Sequence, residues 1–168
     1  MADTAFTIKV GDWLSEEALD KEATRSATRM RNLGYYDFNK NHYFFEADTL
    51  AVPGVAYLKL TVNEYTRNET LREAEPIRKY YFHDVSISYP KMMKIKDNVL
   101  KELNTIIPGD LYSETIVNNS YSRLSALNIF SSVNIGMNQV DTNLVDCSIS
   151  VAQSKLQGVK FNLEGSTN

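Results

Sequence analysis

The sequence predicts an α+β fold: two tandem β-α-α-β-β units, each a small mixed sheet with helices packed on one face, the first unit truncated at its N-terminus. Three observations point there. A Gly-Asp block occurs twice, a helical apolar stripe follows each block, and alternating strands follow each stripe. No other repeat organises the chain.

The block Ile8-Lys9-Val10-Gly11-Asp12-Trp13-Leu14-Ser15 returns 98 residues on as Ile106-Ile107-Pro108-Gly109-Asp110-Leu111-Tyr112-Ser113. Downstream, Leu33-Gly34-Tyr35-Tyr36 returns 94 residues on as Leu127-Asn128-Ile129-Phe130. The difference of four residues is about one helical turn. An insertion of that size lengthens a helix and nearly keeps its buried face, so both intervening segments read as helices. In the first, Ser15 is a good N-cap, with Glu16 and Glu17 at the positive end. Leu19, Ala23, Ala27, Met30 and Leu33 form the stripe, and Gly34 ends it as a left-handed cap. In the second, Ser113 caps, and Val117, Tyr121, Leu124 and Leu127 form the stripe. Asn128 replaces the glycine, and Asn tolerates the same left-handed conformation. Gly11-Asp12 and Gly109-Asp110 read as equivalent structural turns rather than as catalytic carboxylates.

Strands flank these helices. Residues 39–47 and 55–62 read as a pair joined by a longer loop containing Pro53-Gly54, with Ala56, Leu58, Leu60 and Val62 facing inward. Residues 80–89 read as a strand in which Val85, Ile87 and Tyr89 alternate with Ser86 and Ser88, ended by Pro90. A short helix over 95–103 follows, with Val99, Leu100 and Leu103 apolar. Val133, Ile135 and Met137 alternate with Asn134 and Gly136, and Val145, Cys147, Ile149 and Val151 alternate beyond a turn at Asp141-Thr142-Asn143. Period two with one polar side describes a sheet packed on one face.

Composition narrows the function. The net charge is -3 and neither half has a basic excess, which argues against nucleic acid. No apolar run is long enough for a membrane-spanning helix, and no signal peptide is visible at the N-terminus. Hydrophobic residues are 43%, but ten are Tyr, so two small half-polar cores fit better than one large dry one. A single Cys cannot build an internal disulfide or a zinc site, and Cys147 reads as a buried small hydrophobe. His42 and His83 lack partners at metal-ligand spacing, and the glycines form no phosphate loop. Tyr43-Phe44-Phe45 and Tyr80-Tyr81-Phe82 read as strand packing, and 67–75 as a solvated polar linker. No catalytic, cofactor-binding or metal residue is expected. What remains is backbone: a small sheet leaves edge strands able to accept an extended peptide.

The order and duplication of these motifs resemble the POTRA domains that form the periplasmic arm of the BamA/TamA outer-membrane assembly family. The second copy carries the resemblance through residues 107–113, Leu124-Ser125-Ala126-Leu127-Asn128-Ile129-Phe130, Val133-Asn134-Ile135 and Leu144-Val145-Asp146-Cys147. The first carries it through Val10-Gly11-Asp12 and Arg31-Asn32-Leu33-Gly34-Tyr35-Tyr36. Asn128 departs from the usual glycine. The resemblance implies a first domain over 1–77 without its first strand and helix, and a second over 78–154. It also implies that 155–168 leads into a membrane β-barrel absent from this chain. It implies a non-enzymatic periplasmic module, attached to the outer membrane through that barrel. Its partners would be unfolded β-barrel precursors or accessory assembly proteins. The edge strand after each second helix would bind them: Asn39, Asn41, Tyr43 and Phe45 in one unit; Val133, Asn134, Ile135, Gly136 and Met137 in the other. The alternative is a stand-alone periplasmic scaffold or adhesion module on the same fold.

Overall fold

The structure, a computed structural model, describes residues 6–64, 76–91 and 95–154. The stretches 67–75 and 155–168, expected to be a linker and a lead into a barrel, lie outside the described residues. The first unit contains α1 (Glu16–Asn32), one 3-10 turn (Lys40–His42), β1 (Tyr43–Val52) and β2 (Val55–Val62). The second contains β3 (Tyr81–Ser88), α2 (Asp97–Leu103), α3 (Glu114–Ser125), β4 (Phe130–Asp141) and β5 (Leu144–Gln153). The architecture is α+β, with helices and two small sheets.

In the second unit β5 lies between β3 and β4, parallel to the first and antiparallel to the second. The crossover through α2 and α3 covers one face, as a parallel pair requires. Leu100 and Leu124 from the helices pack over Val145, Cys147, Ile149 and Val151 of the central strand. The alternation breaks once. Phe82 and Val85 both join the core although they are an odd number of residues apart. A bulge between them reverses the parity of β3. Asp146 on the neighbouring strand holds it, accepting the Asp84 amide at 3.1 Å and meeting His83 Nδ1 at 2.8 Å.

The stripe on α3 is rotated from its expected position. Tyr121 is 48% exposed, and Ser120 is fully buried instead. The α2–α3 connector runs too close for a large side chain. Ser120 Oγ accepts the Thr105 amide at 2.7 Å and donates to Asn104 Oδ1 at 3.1 Å.

In the first unit Ser15 caps α1 by accepting the Ala18 amide, and Ala23 and Ala27 are buried. Leu33, the last member of the expected stripe, is exposed. The strand expected from residue 39 begins at Tyr43. Asn39 Oδ1 accepts the Asn41 amide and the Asn39 amide donates to His42 Nδ1, so these side chains fold the backbone into the 3-10 turn. Asn39 and Asn41 are therefore turn residues. The loop expected at Pro53-Gly54 is a two-residue turn, with Val52 opposite Val55 and Gly54 at φ +77°. Pro followed by a positive-φ Gly is the type II pattern.

Ala56, Leu58, Leu60 and Val62 do share one hairpin face, opposite Tyr43, Phe45 and Ala47. That face is not an inside. Leu60 is half-buried, whereas Ala56, Leu58 and Val62 are exposed. The buried part of the unit gathers at the start of β1, where Phe38 stacks on His42 at 4.3 Å and meets Tyr43 edge-on at 5.5 Å.

The register of β5 has a chemical consequence. Cys147 is 1% exposed, and burial pushes its thiol up to about 11. A thiol reagent at neutral pH should label it slowly in the native protein and rapidly in urea. Fast native labelling would place β5 one residue out of register, because such a slip reverses every side chain.

Candidate functional site

The exposed sheet edges differ in how far they are already used. The outer edge of β3 is largely occupied. Gly109 donates to Phe82 O at 2.7 Å, Phe82 donates to Asp110 O at 2.9 Å, and Tyr112 donates to Tyr80 O at 2.9 Å. Its middle carries the bulge and the exposed His83–Asp146 pair. Coverage, bulges and charges all blunt an edge. β4 is the opposite edge, with no partner on its outer side among the described residues. Its pairing with β5 is regular from Ser132 to Gln139, with irregularities only beyond those ends. Val133, Asn134, Ile135, Gly136 and Met137 all lie in that regular run. Gly136 packs tightly inside it, since a Cβ there would lie 2.8 Å from Ser148 Oγ. In the first unit, Tyr43 and Phe45 lie on β1, which forms a sheet with β2 alone among the described residues.

A second constellation went unread in the sequence: the joint between the units. Gly34 ends α1 with φ +102°, and its carbonyl accepts the Tyr80 amide at 2.8 Å. The Leu111 side chain rests where a Cβ on residue 34 would be, only 2.7 Å from its Cδ1. Tyr36 meets Tyr80 and Tyr112 edge-on, at 5.6 Å and 5.0 Å. Burial pushes the Tyr112 hydroxyl well above the usual phenol range. Ser113 makes no capping bond within its own helix. It donates instead to Asn32 Oδ1 at 3.0 Å, and the same oxygen accepts the Thr115 amide at 2.7 Å. Asn32 of the first unit thus caps a helix of the second. Arg31 pairs with Glu114 at 3.0 Å while donating to Phe38 O. The negative end of α1 meets the positive end of α3, and the flanking Arg31 and Glu114 match both dipoles.

The two Gly-Asp turns are the same device. Gly11 and Gly109 have φ +96° and +89°, and Asp12 and Asp110 donate to the carbonyls of Lys9 and Ile107. The first turn is held onto α1 by Glu22, whose side chain is inaccessible. Glu22 accepts from the Thr7 amide and hydroxyl, Arg25 and Ser26. Burial alone would raise its pKa. The hydrogen bonds from Arg25, Thr7 and Ser26 outweigh it and hold the carboxyl at about 2. At the other helix end Asn128 has φ 40°, the described non-glycine residue with positive φ. No group of three or more His, Cys, Asp or Glu among the described residues could hold a metal, and no described helix is long and apolar enough to cross a membrane.

Among solved structures, the chain is similar to BamA from Haemophilus ducreyi lacking POTRA domains 1–3. The TM-score is 0.66 at 14% identity, over 88% of this chain and 25% of that one. It is also similar to POTRA domains 3–5 of BamA from Haemophilus influenzae. There the TM-score is 0.56 at 13% identity, over 87% of this chain and 52% of that one. The chain therefore spans between a quarter and about half of the chains it matches. No family model and no curated protein matches the sequence. The fold is that of tandem POTRA domains.

The joint and the buried carboxylate give two measurable outcomes. Asn32→Ala removes the trans cap and should cost about 1 kcal/mol. The loss should be larger for Gly34→Val, which combines a positive φ with a clash against Leu111. Glu22 should make stability acid-sensitive. Its lowered pKa contributes stability that is fully present above its unfolded value of 4.5 and is lost as pH falls toward 2. That loss is worth up to about 3 kcal/mol. Denaturant titrations across this window should show the slope, and Glu22→Gln should flatten it.

Proposed function

We propose that this chain is a periplasmic polypeptide-transport-associated module of an outer-membrane protein assembly, insertion or translocation machine. It receives extended segments of unfolded β-barrel precursors, or of accessory assembly proteins, by strand addition. The observation that carries this reading is β4. It is a regular edge strand with an unpartnered outer side among the described residues, next to an opposite edge that the fold has covered. Main-chain hydrogen bonds to such an edge give affinity with little sequence demand, which suits a receptor of many clients. The likeness to POTRA structures supports the location and the kind of machine. The working residues are Val133, Asn134, Ile135, Gly136 and Met137 on β4, with Tyr43 and Phe45 on β1 as a second edge. The reading divides the chain at 1–77 and 78–154, with 155–168 leading to an outer-membrane barrel, and assigns it no enzymatic step.

The test is an NMR titration with extended peptides of alternating apolar residues. The backbone amides of 132–139, or of 43–48 in the hairpin, should shift in weak, saturable fashion. Scrambled peptides that keep the alternation should behave alike. Shifts confined to the α2 and α3 surfaces would reject strand addition.

A further inference from the structure

Trp13 is the only tryptophan and is 95% exposed, on a turn that the structure builds with care. Lys9 donates to Asp12 Oδ2 at 2.8 Å, Asp12 donates back to Lys9 O at 3.1 Å, and Glu22 fastens Thr7 beneath. A rigid turn that presents an indole to water has already met the ordering cost of a binding contact. Rigid aromatic anchors of this kind dominate interface energetics.

The repeat identifies the partner. Trp13 is the counterpart of Leu111, and Glu16 is the counterpart of Glu114. Leu111 rests on the Cβ-less Gly34, and Glu114 pairs with Arg31. In the first unit the same two positions point away from the joint, both exposed. Ser15 differs from Ser113 in the corresponding way: it caps its own helix, whereas Ser113 has given up that bond to Asn32. The first unit thus carries the knob half of the joint in its undocked form.

We propose that Trp13 and Glu16 dock onto another unit of this fold, head to tail as the second unit docks onto the first. The occupant is a unit whose second helix ends in Arg-Asn-x-Gly or its equivalent: a glycine to seat the indole and a cation to meet Glu16. A second copy of this chain does not qualify. Its Gly34 seat is filled by Leu111. Its other helix end has Ser125, Ala126 and Asn128 where the first has Arg31, Asn32 and Gly34. That end offers no cation, no capping amide and no Cβ-free seat. The array therefore extends from the Trp13 side alone.

The experiment places a copy of residues 1–79, with its own tryptophan changed to Phe, in front of the whole chain. The added Gly34 seat then stands before Trp13 as the native one stands before Leu111. Acrylamide quenching of the remaining Trp13 should fall several-fold relative to the 168-residue chain, with a blue shift of its emission. Gly34→Val in the added copy, or Glu16→Arg beside Trp13, should reverse both. Hydrogen exchange of the added helix reads the same event from the other side. Free quenching with that helix protected overturns the proposal. So does an unprotected added helix, because a unit that docks must fold to do so. Loss of quenching in the 168-residue chain on raising its concentration would make a second copy the occupant, and also overturns it.

Discussion

The contact on which the two-unit structure turns is Leu111 against Gly34. A side chain can approach an α-carbon that closely only where no Cβ stands, and a helix can end at that residue only because glycine accepts φ +102°. The two requirements fall on one position, so the end of α1 is also the seat of the joint. Asn32 then reaches the free amide at the start of α3, Arg31 reaches Glu114, and Tyr36 joins the second unit's core cluster. None of these contacts alone exceeds about a kcal/mol or two. They act together because Gly34 lets the helix ends meet.

The two units solve the problem of small size differently. The second has a full sheet and two helices, and its core is continuous from Tyr80 to Val151. The first buries two alanines, Phe38 and His42, then commits a carboxylate to the same space. An unpaired buried charge would be costly. Glu22 is tolerated because Arg25, Ser26 and Thr7 all point at it, and they thereby anchor the N-terminal turn. Its hairpin extends beyond this small core with an apolar face uncovered among the described residues. Backbone edges are managed unequally as well. The residues after α2 occupy β3, while β4 keeps a regular free run, and that asymmetry gives strand addition a preferred place.

Much of this was legible in the residues. Ser15 and Gly34 bound α1 where capping chemistry places them, and the alternation of β5 puts Cys147 in the core. The misreadings share one cause: local competition invisible to a periodicity count. Asn39 and Asn41 look like strand residues until their side chains compete with the ladder for backbone amides. Tyr121 fits a helical stripe, yet the connector at Thr105 admits only Ser120 at that face. Phe82 and Val85 violate period two, and only the bulge held by Asp146 reconciles them.

By itself the sequence determined the local elements and their duplication, because capping, turn formation and apolar periodicity act over a few residues. The α+β unit, its helices and its turns at Gly11 and Gly109 follow from such short-range chemistry. Tertiary structure alone decided which edges stayed open, which apolar face found no cover, and that a serine cap would be surrendered to an asparagine 81 residues away. Those outcomes depend on what approaches from a distant part of the chain. Ser15 and Ser113 make the point in one pair: they hold equivalent places in the repeat, and only the presence of a neighbouring helix end separates a self-cap from a joint.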